Sequence, residues 1–153
     1  FGQWIEWNHE SSLDWSLTQL PLHRGLQRLV SDLNQCYRNE PAFHESDADG
    51  HGFSWIDCHN SEESALSWMR RGMASQDVIV AVFNFTPVPR SNFRLGVPMR
   101  GHWREILNTD AKEYAGSGQG NFGGVEAVPF PWHNQPCAIL VTVPPLGAVF
   151  FKH

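Results

Sequence analysis

From about residue 45 onward the sequence is a succession of short apolar runs separated by turn residues, and this punctuation constrains the fold more than any other feature. The runs are Phe53 to Cys58, Ala65 to Arg71, Val78 to Phe85, Asn92 to Val97, Trp103 to Leu107, Ala138 to Val143 and Ala148 to Lys152. Asp49-Gly50, Gly72, Pro87 to Pro89, Pro98 to Gly101 and Pro144-Pro145 separate them. Seven strands at this spacing predict an all-β sandwich. Ahead of them lies one helical pattern: Leu22, Leu26, Leu29, Val30, Leu33 and Tyr37 share a face, opposite Arg24, Arg28 and Asp32. Pro21 suits the first helical turn and Pro41 the stop. Residues 1 to 20 are aromatic and polar without period, and read as loop or short helical turns.

Composition narrows the function. At 153 residues and 17.4 kDa the chain is too short for a complete eight-fold β/α barrel, which needs roughly 200 residues or more. A formal net charge of −5 gives no electrostatic case for nucleic acid or an anionic membrane surface; a neutral polar ligand fits better. Hydrophobic residues make up 41 %, with seven Trp and ten Phe, so disorder is excluded as the main state. Charge is uneven: residues 1–63 hold eleven acids and three bases, residues 64–153 five acids and eight bases. Cys36, Cys58 and Cys137 are odd in number and form no CxxC pair, which fits a reducing compartment. No 18-residue apolar run occurs and no basic start precedes an apolar core, so neither a membrane span nor a secretory signal is expected. The first Met is Met69, and the sequence reads as a piece of something longer.

Most chemical motifs fall away on inspection. Gly118-Gln119-Gly120-Asn121-Phe122-Gly123 matches GxGxxG, but two prolines and no helical pattern follow, so it reads as a loop. His51, Cys58 and His59 lack metal-ligand spacing, and neither a metal nor a cofactor is expected. Ser117 sits between glycines without a nucleophile elbow. Glu6, Glu10 and Asp14 would share a face only if their segment were helical. Asn84-Phe85-Thr86, a formal glycosylation triplet, reads as a strand end and turn.

Aromatics carry the stronger signal. A flat ring beside polar groups can stack on the C–H face of a sugar while its neighbours bond the hydroxyls. Strand alternation in Gly52-Phe53-Ser54-Trp55-Ile56-Asp57 places Phe53, Trp55 and Asp57 on one face, pointing to a solvent- or ligand-facing side. The alternative is a core Trp with Asp57 at the strand's end. Trp4 and Trp7 flank Glu6 in the same way, whereas Trp68, Trp103 and Trp132 read as core or turn packing.

Taken in order, Trp4-x-Glu6-Trp7-Asn8-His9, Leu13-Asp14-Trp15, His23-Arg24-Gly25-Leu26-Gln27-Arg28, Gly52-Phe53-x-Trp55-Ile56-Asp57, Asn84-Phe85-Thr86-Pro87-Val88-Pro89-Arg90, Trp103-Arg104-Glu105-Ile106-Leu107-Asn108-Thr109-Asp110, Gly116-Ser117-Gly118-x-Gly120-Asn121 and Pro144-Pro145-Leu146 cover nearly the whole chain. This series resembles the C-terminal part of bacterial 1,4-α-glucan (glycogen) branching enzymes of the α-amylase superfamily, glycoside hydrolase family 13. The sequence departs from that pattern at Ile5, where Arg is common, and at Glu10, where Asp is.

The resemblance implies a mainly β fold: an antiparallel C-terminal β-sandwich preceded by one amphipathic helix left from the end of a (β/α)8 barrel. Residues 1–45 would be the barrel remnant and 46–153 the sandwich. It implies an enzyme that transfers an α-1,4-glucan segment to a 6-hydroxyl by a retaining mechanism, with an Asp nucleophile, a Glu acid/base and a stabilising Asp. None of those three matches a residue here, so no catalytic residue is assigned and the chain alone is expected to be inactive. Its expected partners are α-glucan (glycogen, maltooligosaccharides) and the upstream barrel, in the cytoplasm, with no nucleic acid or membrane. The expected glucan contacts are Trp55 by stacking, Asp57 at a hydroxyl, and Trp4, Glu6 and Trp7. Two alternatives stay open: the C-terminal domain of a trehalose-releasing maltooligosaccharide hydrolase, and a purely structural or carbohydrate-binding sandwich.

Overall fold

A computed structural model describes residues 2–153; Phe1, the first residue of the aromatic opening segment, lies outside them. Its order is a 3-10 turn (Trp15–Gln19), helix α1 (Pro21–Asn39), and strands β1 (Phe53–Asp57), β2 (Ala65–Arg71), β3 (Val78–Asn84), β4 (Arg90–Val97), β5 (Gly101–Asn108), β6 (Gly124–Ala127), β7 (Cys137–Val143) and β8 (Ala148–Lys152). All seven predicted strands are present. The eighth, β6, is four residues long, starts on Gly124 and runs toward Pro129 and Pro131, so its local sequence carries little strand signal. Pairing with β5, from Gly101 opposite Ala127 to Arg104 opposite Gly124, holds it extended.

Two antiparallel sheets form the sandwich: six strands in the order β1-β2-β3-β8-β5-β6, and the pair β4-β7. Between them lie Met69, Val80, Val82, Val149, Phe151 and Trp103 from the large sheet, facing Leu95, Val97, Ile139, Val141 and Val143 from the small one. The alternation fails on β3, where Val78 through Val82 are all buried. The large sheet is covered on both faces there, and such a strand reads as a continuous apolar run.

The second cover is α1. Leu29, Leu33 and Cys36, with Phe43 beyond the helix, pack on Trp68, Ala81, Phe83, Leu107 and Phe150 on the outer face of the large sheet. Close approach is set at Gly25, where a Cβ would lie 2.6 Å from the carbonyl oxygen of Tyr114. The Tyr114 hydroxyl donates to Asp32 at 2.8 Å, and Lys152 of β8 pairs with Glu40 at the helix's C-terminal end. Only part of the predicted apolar face is used: Leu22, Leu26, Val30 and Tyr37 stay exposed on an adjoining stripe. No helix among the described residues is long and apolar enough to cross a membrane.

Candidate functional site

Strand β1 is an edge of the large sheet, so its outward side chains have a neighbour on one side only. Trp55 is directly opposite Trp68, a residue of the outer aromatic cluster, and remains half exposed. Its ring meets Phe53 edge-on at 5.0 Å between centroids, and Phe53 in turn lies 6.3 Å from Trp68. The result is a fixed aromatic platform that continues into the packed face of the sheet but ends in solvent at Trp55.

The predicted pairing of Trp55 with Asp57 is not formed. Register along β1 and β2 shifts between the two: Trp55 faces Trp68 while Asp57 faces Ser67, leaving Ile56 as the extra residue of a bulge. Ser67 is buried on the inner side of β2, between Ala65 and Met69 of the inner core, and Ile56 packs against that same core. One inserted residue therefore carries Asp57 off the Trp55 face. Its carboxylate accepts from the His59 backbone N–H at 3.0 Å and lies 3.6 Å from Nε2 of His133. The Phe53 and Trp55 half of the alternation stands, and the Asp57 half is corrected by the bulge.

Sequence reasoning missed the polar groups that do flank the platform. Arg70 stands opposite Phe53 across the strand pair. Its guanidinium donates to the carbonyls of Ala42 (3.2 Å) and Phe43 (2.8 Å) and to the Asp47 carboxylate, which also accepts from the Tyr37 hydroxyl at 3.2 Å. The Arg70 bond holds the Asp47 carboxyl below its ordinary value, and the bond to Asp47 raises Tyr37. These groups rim a cavity of about 560 Å3 floored by Phe53, Trp68 and Phe150. An ionised carboxylate and an amide, Asn34, beside an aromatic floor can accept and donate to hydroxyls. The only signal in the sequence was an Arg at an outward strand position, which looks like an ordinary surface charge.

Trp4, Glu6 and Trp7 stand on irregular backbone. Trp4 and Trp7 are 98 % and 80 % exposed, with Trp7 against His9 at 6.0 Å. The bonds of Gln3 to Ile5 and Asp14, and of Asn8 to Glu10, stay within the segment. Glu6, Glu10 and Asp14 are exposed and no helix runs through them, so the condition for a shared face is not met.

The motifs, the sandwich and the covering helix bear comparison with known proteins. The family described as alpha amylase, C-terminal all-beta domain, matches residues 55–153. The chain belongs to this family. Within it, the sequence is 54 % identical over 153 residues to a 1,4-alpha-glucan branching enzyme GlgB of Aquifex aeolicus, covering 100 % of this chain and 24 % of the relative. Proteins of the same name from Cereibacter sphaeroides and Burkholderia thailandensis are 51 % and 48 % identical, over 98 % and 99 % of the chain and 20 % and 18 % of their own lengths. The chain thus spans less than a quarter of these relatives, in their C-terminal region. As an alpha-amylase C-terminal domain it includes β1 to β8 almost whole, while α1 and the segment before it lie ahead of the matched residues.

Proposed function

We propose that this chain is the C-terminal part of a cytoplasmic glycogen branching enzyme and that it binds α-1,4-glucan on the Trp55 platform without catalysing transfer itself. The observation that carries the reading is the half-exposed Trp55, edge-on to Phe53 at 5.0 Å, with Phe53 itself lining the cavity rimmed by Asp47 and Arg70. A ring held at one angle stacks on a sugar's C–H face without first losing rotational freedom. Ionised Asp47 then accepts hydroxyl hydrogens, replacing the role expected of Asp57. The parent enzyme would transfer a glucan segment to a 6-hydroxyl, its catalytic carboxylates lying in portions of such enzymes that this stretch does not match. Residues 1–45 are read as the end of a barrel, supported by the outward apolar stripe of α1, and 46–153 as the sandwich. Three free cysteines support a reducing compartment.

Calorimetric titration of the chain with maltoheptaose tests the platform. Trp55→Ala is expected to weaken binding about tenfold, the equivalent of roughly 1.4 kcal/mol. Affinity unchanged by the substitution would remove Trp55 from the site.

A further inference from the structure

The face of the sandwich opposite α1 carries a second aromatic patch. Arg94 of β4 faces Leu140 of β7, which is exposed, while the neighbouring Leu95 and Ile139 point into the core. Arg94 therefore projects from the outer face of the small sheet. The β6–β7 connection folds over that face: Val128 bridges to Ala138 and Trp132 to Gln135. Its approach to β4 requires Gly96, where a Cβ would stand 2.2 Å from the Trp132 carbonyl oxygen. His133 and Asn134 both adopt left-handed backbone, with φ of +50° and +58°. Together these place the Arg94 guanidinium 4.5 Å from the Phe130 centroid and 5.1 Å from that of Trp132.

Trp132 is not consumed by this packing. It remains 40 % exposed and lines a cleft of about 400 Å3 with Asn60, Arg90, Ser91, Asn92 and Arg94, within the range of roughly 300–1,000 Å3 typical of small-ligand sites. The bulge between Arg90 and Phe93, with Asn92 at φ +57°, turns Ser91 and Asn92 to solvent at its edge. Arg94 lies over the rings, Arg90 donates to the Glu63 carbonyl at 3.0 Å while its buried Nε is without a hydrogen-bond partner, and Glu63 accepts from Asn60 at 2.7 Å. An indole with exposed hydroxyl and amide neighbours offers a stacking face and hydrogen-bonding groups that suit a polyhydroxyl ligand.

Asp57 belongs here. His133 Nδ1 accepts from the Gly96 N–H at 3.4 Å, so the ring proton sits on Nε2, which faces Asp57. The bulge that removes Asp57 from the Trp55 face thus lets it position the imidazole beside Trp132, whose ring lies 5.5 Å away.

We propose that the cleft between β4 and the 128–135 connection is a second α-glucan site, with Trp132 as its stacking ring, Arg94 fixing that ring, and Asn92 and Ser91 meeting the sugar hydroxyls. It rests on the reading of the chain as a glucan binder. Two sites on opposite faces of one sandwich can hold separate glucan chains, or one branched glucan by two arms.

The test is a maltoheptaose titration of the chain followed on the seven tryptophan indole N–H resonances, assigned with Trp→Phe variants. The Trp55 and Trp132 signals are expected to shift with separate saturation curves, while buried Trp103 stays still. Asn92→Ala should weaken the Trp132 curve about tenfold and leave the Trp55 curve in place. If Trp55 moves and Trp132 does not, the second site is overturned and the Trp55 platform stands. If only Trp132 moves, the platform falls and the second site stands. No shift at either ring overturns both. A Trp132 shift reproduced by sodium phosphate alone makes the cleft an anion site and overturns the proposal.

Discussion

Asp57 shows how one backbone irregularity reassigns a side chain. By alternation it belongs beside Trp55; by register it faces Ser67 and reaches His133. The consequence is measurable through the imidazole. Burial pushes His133 below its ordinary value near 6.5, and the Asp57 charge partly opposes that fall. The folded state therefore favours the neutral ring. Stability contributed by this group is full above about pH 6.5 and is lost as the pH falls through the lower folded-state pKa. Asp57→Asn removes the opposing charge, so His133 in that variant is expected to titrate lower still when its ring C–H shift is followed by NMR against pH. A titration that moves upward in Asp57→Asn would contradict the assigned geometry. In the sequence, Phe53 and Trp55 were legible as outward aromatics because two-residue alternation holds as far as Trp55. Asp57 and Trp132 were not, since a bulge and a glycine-dependent loop crossing are long-range decisions with no local residue signature.

At the scale of elements, α1 and the strands divide along the same line. Pro21 and Pro41 bracket the helix in the sequence, and its observed limits, Pro21–Asn39, follow from the same proline chemistry. What the helix packs against could not be read. Gly25 is the residue on which that contact turns, because α1 lies directly on the turn Lys112–Tyr114. Gly25→Ala supplies roughly 1 kcal/mol of helix propensity but forces a Cβ to within 2.6 Å of the Tyr114 carbonyl oxygen. Overpacking against backbone costs about 1–3 kcal/mol, so the variant is expected to unfold at a lower temperature in a thermal melt. A higher melting temperature would mean that the helix and the turn separate freely. Strand β6 was missed for the reverse reason: its residues carry little intrinsic preference, and β5 imposes the extended form.

For the whole molecule, the unused stripe of α1 is the feature with consequences. Leu22, Leu26 and Val30 are 71 %, 42 % and 50 % exposed, close in sequence to Trp4, Ile5 and Trp7 at 98 %, 72 % and 80 %. Exposed apolar area of this kind promotes association. The isolated chain is expected to self-associate with rising concentration in light scattering, and a Leu22→Gln, Val30→Gln double variant to shift it toward monomer. A clean wild-type monomer at high concentration would show that the stripe is tolerated in water. By itself the sequence determined the class of fold, the extent of the helix and seven of the strands, because proline and glycine stops and apolar periodicity act over a few neighbouring residues. Only the tertiary structure decided that α1 covers one face of the large sheet and leaves a stripe open, that Asp57 serves His133, and that Arg94 meets Trp132 across a loop. Those outcomes depend on register and on close backbone approach between segments tens of residues apart, which no local pattern encodes.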